Sequence, residues 1–197
     1  MIQEASGVVL AGGKSKRFGS TKALAPWNGK RLVEAVVESL VPLFPSVLVL
    51  VKDPAEYSFL GNSQIKVMAD LFKDVHPLGG IYSALTHTGS DWVFICGCDM
   101  PFIRPELVRA LWSARAGYQT VVPVWEGRPQ TLCSFYSQAA KYEIGCALER
   151  KEFSVHSALD SLSVKFLGED FIRRADPEGQ SFRDIDTRQD YEQARKI

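Results

Sequence analysis

Residues 8–22 read Val8-Val9-Leu10-Ala11-Gly12-Gly13-Lys14-Ser15-Lys16-Arg17-Phe18-Gly19-Ser20-Thr21-Lys22, a short apolar run followed by a glycine turn studded with cations. The stretch from Gly7 to Leu10 suits a buried strand that ends abruptly at Ala11-Gly12-Gly13. Adjacent glycines can take positive φ and let backbone N–H groups crowd together, because no Cβ blocks a ligand's approach. Lys14, Lys16, Arg17 and Lys22 add four positive side chains to one short loop. Amides and cations converging on one spot suit a polyphosphate, and open α/β sheets bind ligands at the carboxyl ends of their strands. A glycine pair after a strand is also an ordinary turn, and loop cations are commonly just solvated. The stretch is not a Walker loop, since Gly19 is followed by Ser20, and it does not fit Gly-x-Gly-x-x-Gly.

Working outward, apolar runs alternate with amphipathic stretches. Val47 to Val51 is continuous rather than alternating in its hydrophobicity, which predicts a strand buried on both faces. Ile65 to Ala69 and Trp92 to Cys96 read as further strands. Arg31 to Leu40, Leu78 to Leu85 and Pro105 to Ala114 have helical period between and after them. Strand–helix repetition of this kind implies right-handed crossovers and a mostly parallel sheet covered on both sides. Thr120 to Val124 and Thr131 to Tyr136 suit an antiparallel addition, joined by a loop too long for a tight hairpin. Helices near Ala139–Glu149 and Arg188–Lys196 would close a single domain over residues 1–197.

The 197 residues are 46% hydrophobic and 23% charged, an ordinary globular composition. Lysine plus arginine balance aspartate plus glutamate at 23 each, so no global field draws the chain to nucleic acid or membrane, and any anion site must be local. No segment approaches a spanning apolar run, and Met1-Ile2-Gln3-Glu4 lacks a basic-then-apolar leader. Cys96, Cys98, Cys133 and Cys146 contain no Cys-x-x-Cys pair and read as buried thiols of a cytoplasmic protein.

Strand ends in such a fold line up along one edge, and aspartates fall there. Asp70 follows the Ile65–Ala69 strand, Asp99 follows Trp92–Cys96, and Asp184 and Asp186 alternate just before the last helix. Carboxylates delivered to the edge that carries a cationic loop suit a hard divalent ion bound together with a nucleotide, since Mg²⁺ favours one or two carboxylates plus phosphate oxygens. Each aspartate also has a local reading. Asp70 could begin a turn, Asp99 could cap the helix after Pro101, and Asp186-Thr187 could form an N-cap pair.

These residues carry a resemblance. Leu10-Ala11-Gly12-Gly13-Lys14-Ser15-Lys16-Arg17-Phe18-Gly19-Ser20-Thr21-Lys22 is similar to the opening motif of the molybdenum cofactor guanylyltransferase family. Asn28 to Leu32, Asp70 with His76-Pro77-Leu78-Gly79-Gly80, Cys98-Asp99-Met100-Pro101, Gly127 to Tyr136 and Asp184 to Asp190 resemble its further motifs, in order along the chain. Phe18, Thr21, His76 and Thr131 depart from the pattern. A family asparagine after the second strand is unmatched, with Leu50 or Val51 near its position.

The resemblance implies a three-layer α/β/α Rossmann-like nucleotidyltransferase fold of the nucleotide-diphospho-sugar transferase type. It implies transfer of GMP from GTP to molybdopterin with release of pyrophosphate and with Mg²⁺ as cofactor. Arg17 and Lys22 would hold the β and γ phosphates, and Asp99 would ligate the metal. Leu10, Ala11, Gly12 and Gly13 would approach the nucleotide through the backbone, with Asp70 on the nucleoside side. Asp186 is a further candidate for a metal or pterin contact, with Asp184 open in the same way. The alternatives are cytidylyl or other nucleotidyl transfer to molybdopterin or to a sugar or alcohol phosphate, and a non-catalytic nucleotide-binding scaffold. Trp27, Trp125 and nearby basic residues could form a surface for molybdoenzymes or other cofactor-biosynthesis proteins.

Overall fold

The computed structural model describes residues 1–13, 21–74 and 76–194. Strand β1 (Ala5–Leu10) leads through a small ribbon, β2 (Pro26–Trp27) and β3 (Lys30–Arg31), into helix α1 (Leu32–Leu40). Strands β4 (Val47–Val51) and β5 (Ile65–Ala69), helix α2 (Pro77–His87), strand β6 (Trp92–Gly97) and helix α3 (Pro105–Ser113) follow. The second half contributes β7 (Thr120–Trp125), β8 (Arg128–Pro129), β9 (Cys133–Ser137), α4 (Lys141–Glu149) and α5 (Val155–Leu159). It ends with β10 (Val164–Leu167), α6 (Glu169–Ile172) and α7 (Arg188–Ala194).

The main sheet runs β10-β7-β9-β6-β1-β4-β5, with β8 paired to β7. β1 pairs in parallel with both β4 and β6, and β4 in parallel with β5. β9 runs antiparallel to β6 and to β7, so β7 and the parallel-paired β10 regain the direction of the first four strands. The expected mostly parallel sheet with an antiparallel addition is therefore present, and β9 is inserted within the sheet between β6 and β7.

Side-chain alternation along the strands divides the core in two. Val9, Val49, Phe94 and Phe135 pack with α1, α3 and α6 on one face. Val8, Leu48, Ile95 and Tyr136 pack with α2, α4 and α5 on the other. Val33, Val36, Val37 and Leu40 form the stripe that α1 buries, as their spacing predicts. Gly7 lets the Phe44 ring lie against β1, since a Cβ there would stand 2.8 Å from Phe44 Cδ2. Leu→Ala changes in such layers cost about 2–5 kcal/mol. Among the described residues, no helix is long and apolar enough to cross a membrane.

β7 and β9 are joined, as expected, by a segment too long for a tight hairpin, residues 126–132. Within it Trp125-Glu126-Gly127-Arg128 forms a tight turn from β7 into the short β8, with Glu126 and Gly127 at φ of 49° and 70°. Paired positive φ values match the right-handed twist of the flanking strands. One expectation needs correction, and it concerns the aromatic surface. Trp27 is only 5% exposed and packs against Phe102 and Tyr191, while Trp125 stacks on Phe182 with Arg173 over its ring. Trp27 therefore offers no free docking face, while Trp125 is half-buried with Phe182 and Arg173 against its ring. The expected last helix ends, as far as described, at Ala194.

Candidate active site

The sheet order places a switch point at β1, because the chain proceeds from β1 to β4 and β5 on one side and then returns to β6 on the other. The carboxyl ends of these strands are held level by hydrogen bonds that continue the ladder. Ala11 N donates to Leu50 O at 2.8 Å, Asp70 N to Val51 O at 2.8 Å and Cys98 N to Leu10 O at 3.1 Å. Ala11 and Asp70 are thus anchored by backbone to a neighbouring strand, and Asp99 is held through its neighbour Cys98. A crevice at this position is where open α/β sheets bind nucleotides. It holds a cavity of about 210 Å³, lined among the described residues by Leu10, Gly12, Gly13, Lys22, Asp70 and Asp99, with the start of α2 on one wall.

Lys22 forms the charged centre. Its Nζ lies 2.7 Å from Asp99 Oδ2 and 3.0 Å from Asp186 Oδ1, although the three residues come from distant parts of the chain. The ammonium side chain is 10% exposed. Burial alone would lower its pKa, but the charges and hydrogen bonds of Asp99 and Asp186 outweigh that and raise it above the ordinary value. Lys22 is therefore a permanent cation here.

Ile185 explains how the acidic pair arrives. Its side chain is fully buried and its N–H donates to Asp99 O at 2.9 Å. On either side of that anchor, Asp186 reaches Lys22 beside Asp99, and Asp184 lies near enough to feel the charges of Asp99 and Asp186. Asp184 keeps part of its surface in solvent. Loss of hydration, followed by the charges of Asp99 and Asp186, nevertheless pushes its pKa up to about 7, with Lys22 acting in the opposite direction. Asp99 has its own steric device, because a Cβ on Gly97 would collide with Asp99 Oδ1. The glycine before Cys98 is what lets the carboxylate fold back over the end of β6.

On the opposite side of the cavity, Asp70 accepts from Ser83 Oγ at 2.7 Å, Phe72 N at 3.1 Å and Lys52 Nζ at 2.9 Å. The turn reading of Asp70 thus holds, and the same side chain lines the cavity. The helix-cap reading of Asp99 does not hold, since Arg104 is the N-cap of α3. The capping role near the last helix belongs to Thr187, whose hydroxyl accepts from Asp190 N while Asp190 Oδ2 accepts from Thr187 N. Sequence reading missed Lys52. The missing family asparagine directed attention to Leu50 and Val51, but the polar side chain at the end of β4 is one residue further on.

Lys14, Lys16 and Arg17 lie outside the described residues, so the phosphate-holding role expected of Arg17 stands on the sequence alone. Cys96, Cys98 and Cys133 are buried free thiols. Burial, with Asp99 second, pushes Cys98 up to about 12, which makes it inert as a nucleophile. Among the described residues, no three His, Cys, Asp or Glu side chains form a ready-made metal cage. An all-protein cage is not what Mg²⁺ requires, and two aspartates already bracketing one cation fit an ion that draws its remaining ligands from phosphate and water.

A switch-point crevice with a fixed lysine among aspartates, on a mostly parallel sheet between two helical layers, suits the handling of a nucleotide's phosphates, and comparison with known proteins shows the class to be that of the nucleotidyltransferases. The family model for the MobA-like NTP transferase domain matches residues 7–163, and the chain belongs to that family. It is 32% identical over 200 residues to the "Probable molybdenum cofactor guanylyltransferase" of Natranaerobius thermophilus, covering 100% of this chain and 97% of that one. A Bacillus cereus protein of the same name is 33% identical over 199 residues, covering 97% and 96%. The crystal structure of molybdopterin-guanine dinucleotide biosynthesis protein A from Archaeoglobus fulgidus superposes with a TM-score of 0.84 at 28% identity, covering 98% of this chain and 97% of that one.

Proposed function

We propose that this chain, acting as one nucleotidyltransferase domain, transfers GMP from GTP to molybdopterin and releases pyrophosphate, as the names of its relatives imply for them. The observation that carries the reading is the Lys22–Asp99–Asp186 cluster at the mouth of the switch-point crevice. A phosphate monoester on the acceptor is already anionic near neutral pH, so the attack on the α-phosphorus needs alignment and charge neutralisation more than a general base.

Leu10, Ala11, Gly12 and Gly13 offer backbone groups and an open approach to the nucleotide, and Asp70 accepts from the nucleoside side. Lys22 meets the triphosphate and stabilises the departing pyrophosphate, with Arg17 as its expected companion from the loop. Asp99, helped by Asp184 or Asp186, holds Mg²⁺. When bound, the ion supplies Lewis-acid neutralisation of the phosphate oxygens. The buried free thiols suit a reducing, cytoplasmic setting.

The test is pyrophosphate release with molybdopterin as acceptor, measured separately for GTP, CTP, ATP and UTP. Turnover with GTP well above the others supports the assignment. Preference for CTP would move the chain to cytidylyl transfer. Nucleotide binding without turnover would make it a scaffold.

A further inference from the structure

Lys52, just beyond the end of β4, has no role in the reading above, yet it touches two walls of the nucleotide crevice. Its stem lies along the glycine turn, where a Cβ on Gly12 would stand 3.3 Å from Lys52 Cε. Its ammonium donates to Asp70 Oδ2 at 2.9 Å, to the Phe72 carbonyl and, at 3.4 Å, to the Asp74 carbonyl. One side chain therefore straps the loop after β5 to the turn after β1.

The donor and acceptor counts decide what kind of role this is. An ammonium has three N–H donors, and Lys52 has an acceptor for each of them within the protein. It has none spare for a ligand. Asp70, whose side chain is 11% exposed, has about four acceptor sites and three donors already on them. One acceptor site remains, and Asp70 lines the cavity. Without the lysine, a largely buried carboxylate would be left with its charge uncompensated, and its second oxygen would be free to swing away from the ligand.

We propose that Lys52 is a positioning residue for nucleotide binding, holding Asp70 and the 70–74 loop against Gly12 so that one carboxylate acceptor faces the nucleoside. This rests on the proposed nucleotidyl transfer, and it deepens that reading by assigning nucleoside-side affinity to a residue outside the phosphate centre. Because Lys52 lies across the crevice from the Lys22–Asp99 pair, its loss acts on ground-state nucleotide binding rather than on the chemical step.

K52M keeps the stem over Gly12 and deletes only the ammonium, which separates strapping from filling. The expected result is a rise of about tenfold in KM for GTP and in its calorimetric Kd, with kcat within about twofold. K52R recovers most of the affinity, because a guanidinium can reach the same acceptors. In a D70N background, K52M adds little further loss, since both act through one carboxylate.

Unchanged KM and Kd in K52M, or a fall in kcat alone, would overturn the role. Equal losses in K52M and K52R that track a fall in melting temperature would make Lys52 merely structural, and would overturn it too. The outcome for the wild type separates the two levels of the account. A wild-type chain that binds GTP and turns over, with K52M indistinguishable from it, rejects this inference alone. A wild-type chain that binds no nucleoside triphosphate rejects the parent reading and this one with it.

Discussion

Lys22 Nζ and Asp99 Oδ2 meet at 2.7 Å across 77 residues of sequence, one from the helical turn Lys22–Leu24 and the other from just past the end of β6. Adjacent parallel strands bring the two segments to one edge, because β1 and β6 end side by side with Leu10 opposite Gly97. The pair joins a fixed positive charge to a carboxylate at the place where a triphosphate and its counter-ion would be bound. Within the pair the two charges offset each other, so bringing in a polyphosphate with a metal exchanges partners rather than exposing bare charge.

Replacing Lys22 by alanine should lower kcat for pyrophosphate release by about tenfold or more, in line with loss of a preorganised charge beside the leaving group. Steady-state kinetics under saturating GTP are the check. Wild-type kcat in K22A would remove Lys22 from the mechanism.

Asp99→Asn keeps the shape of the side chain and deletes the charge that would bind the metal. Mg²⁺-dependent turnover should be abolished at metal concentrations that saturate the wild type, while circular dichroism and melting stay close to wild type. Full activity in D99N would show that the metal is held elsewhere.

Gly97→Ala tests the same carboxylate sterically. The new methyl would occupy the place of Asp99 Oδ1, so Asp99 must rotate away from Lys22. Activity should drop by about tenfold or more while the sheet survives, because the cost falls on a catalytic geometry far more than on packing. Comparing kcat with melting temperature decides, and a loss confined to melting temperature would contradict the prediction.

Asp184 gives the pH dependence. Its carboxyl titrates near 7 in the folded chain and lower when unfolded, so the folded state binds the extra proton between those values. Its contribution to stability is therefore lost as pH rises through that window. The melting temperature of D184N should move upward relative to wild type between pH 4 and pH 8. Divalent-ion affinity should also rise with pH toward neutrality, because the ion must displace that proton. Isothermal titration at pH 6 and pH 8 gives the readout. Equal affinity at both would place Asp184 outside the metal's reach.

Much of the site was legible because parallel strands announce themselves as continuous apolar runs. Once Val47–Val51 and Trp92–Cys96 are read as strands, Asp70 and Asp99 fall at one edge by topology alone. Alternation about Ile185 marks Asp184 and Asp186 in the same way. Lys52 was not legible, since its role depends on the curl of the loop after Asp70, which no local pattern encodes. The antiparallel pairing of β7 with β9 was legible too, whereas the place of β9 inside the sheet, between β6 and β7, was not, because a strand buried on both faces carries no sign of which neighbours it takes. Trp27 misled because an aromatic residue beside a turn looks exposed until the segment that covers it, here around Tyr191, is seen to fold back.

The most direct measurement of the central claim is a crystal structure with a non-hydrolysable GTP analogue and Mn²⁺, with the metal located by its anomalous signal. The account predicts the metal peak within ligand distance of an Asp99 oxygen and the triphosphate in contact with Lys22 Nζ. A well-ordered triphosphate or metal peak remote from both side chains would contradict it.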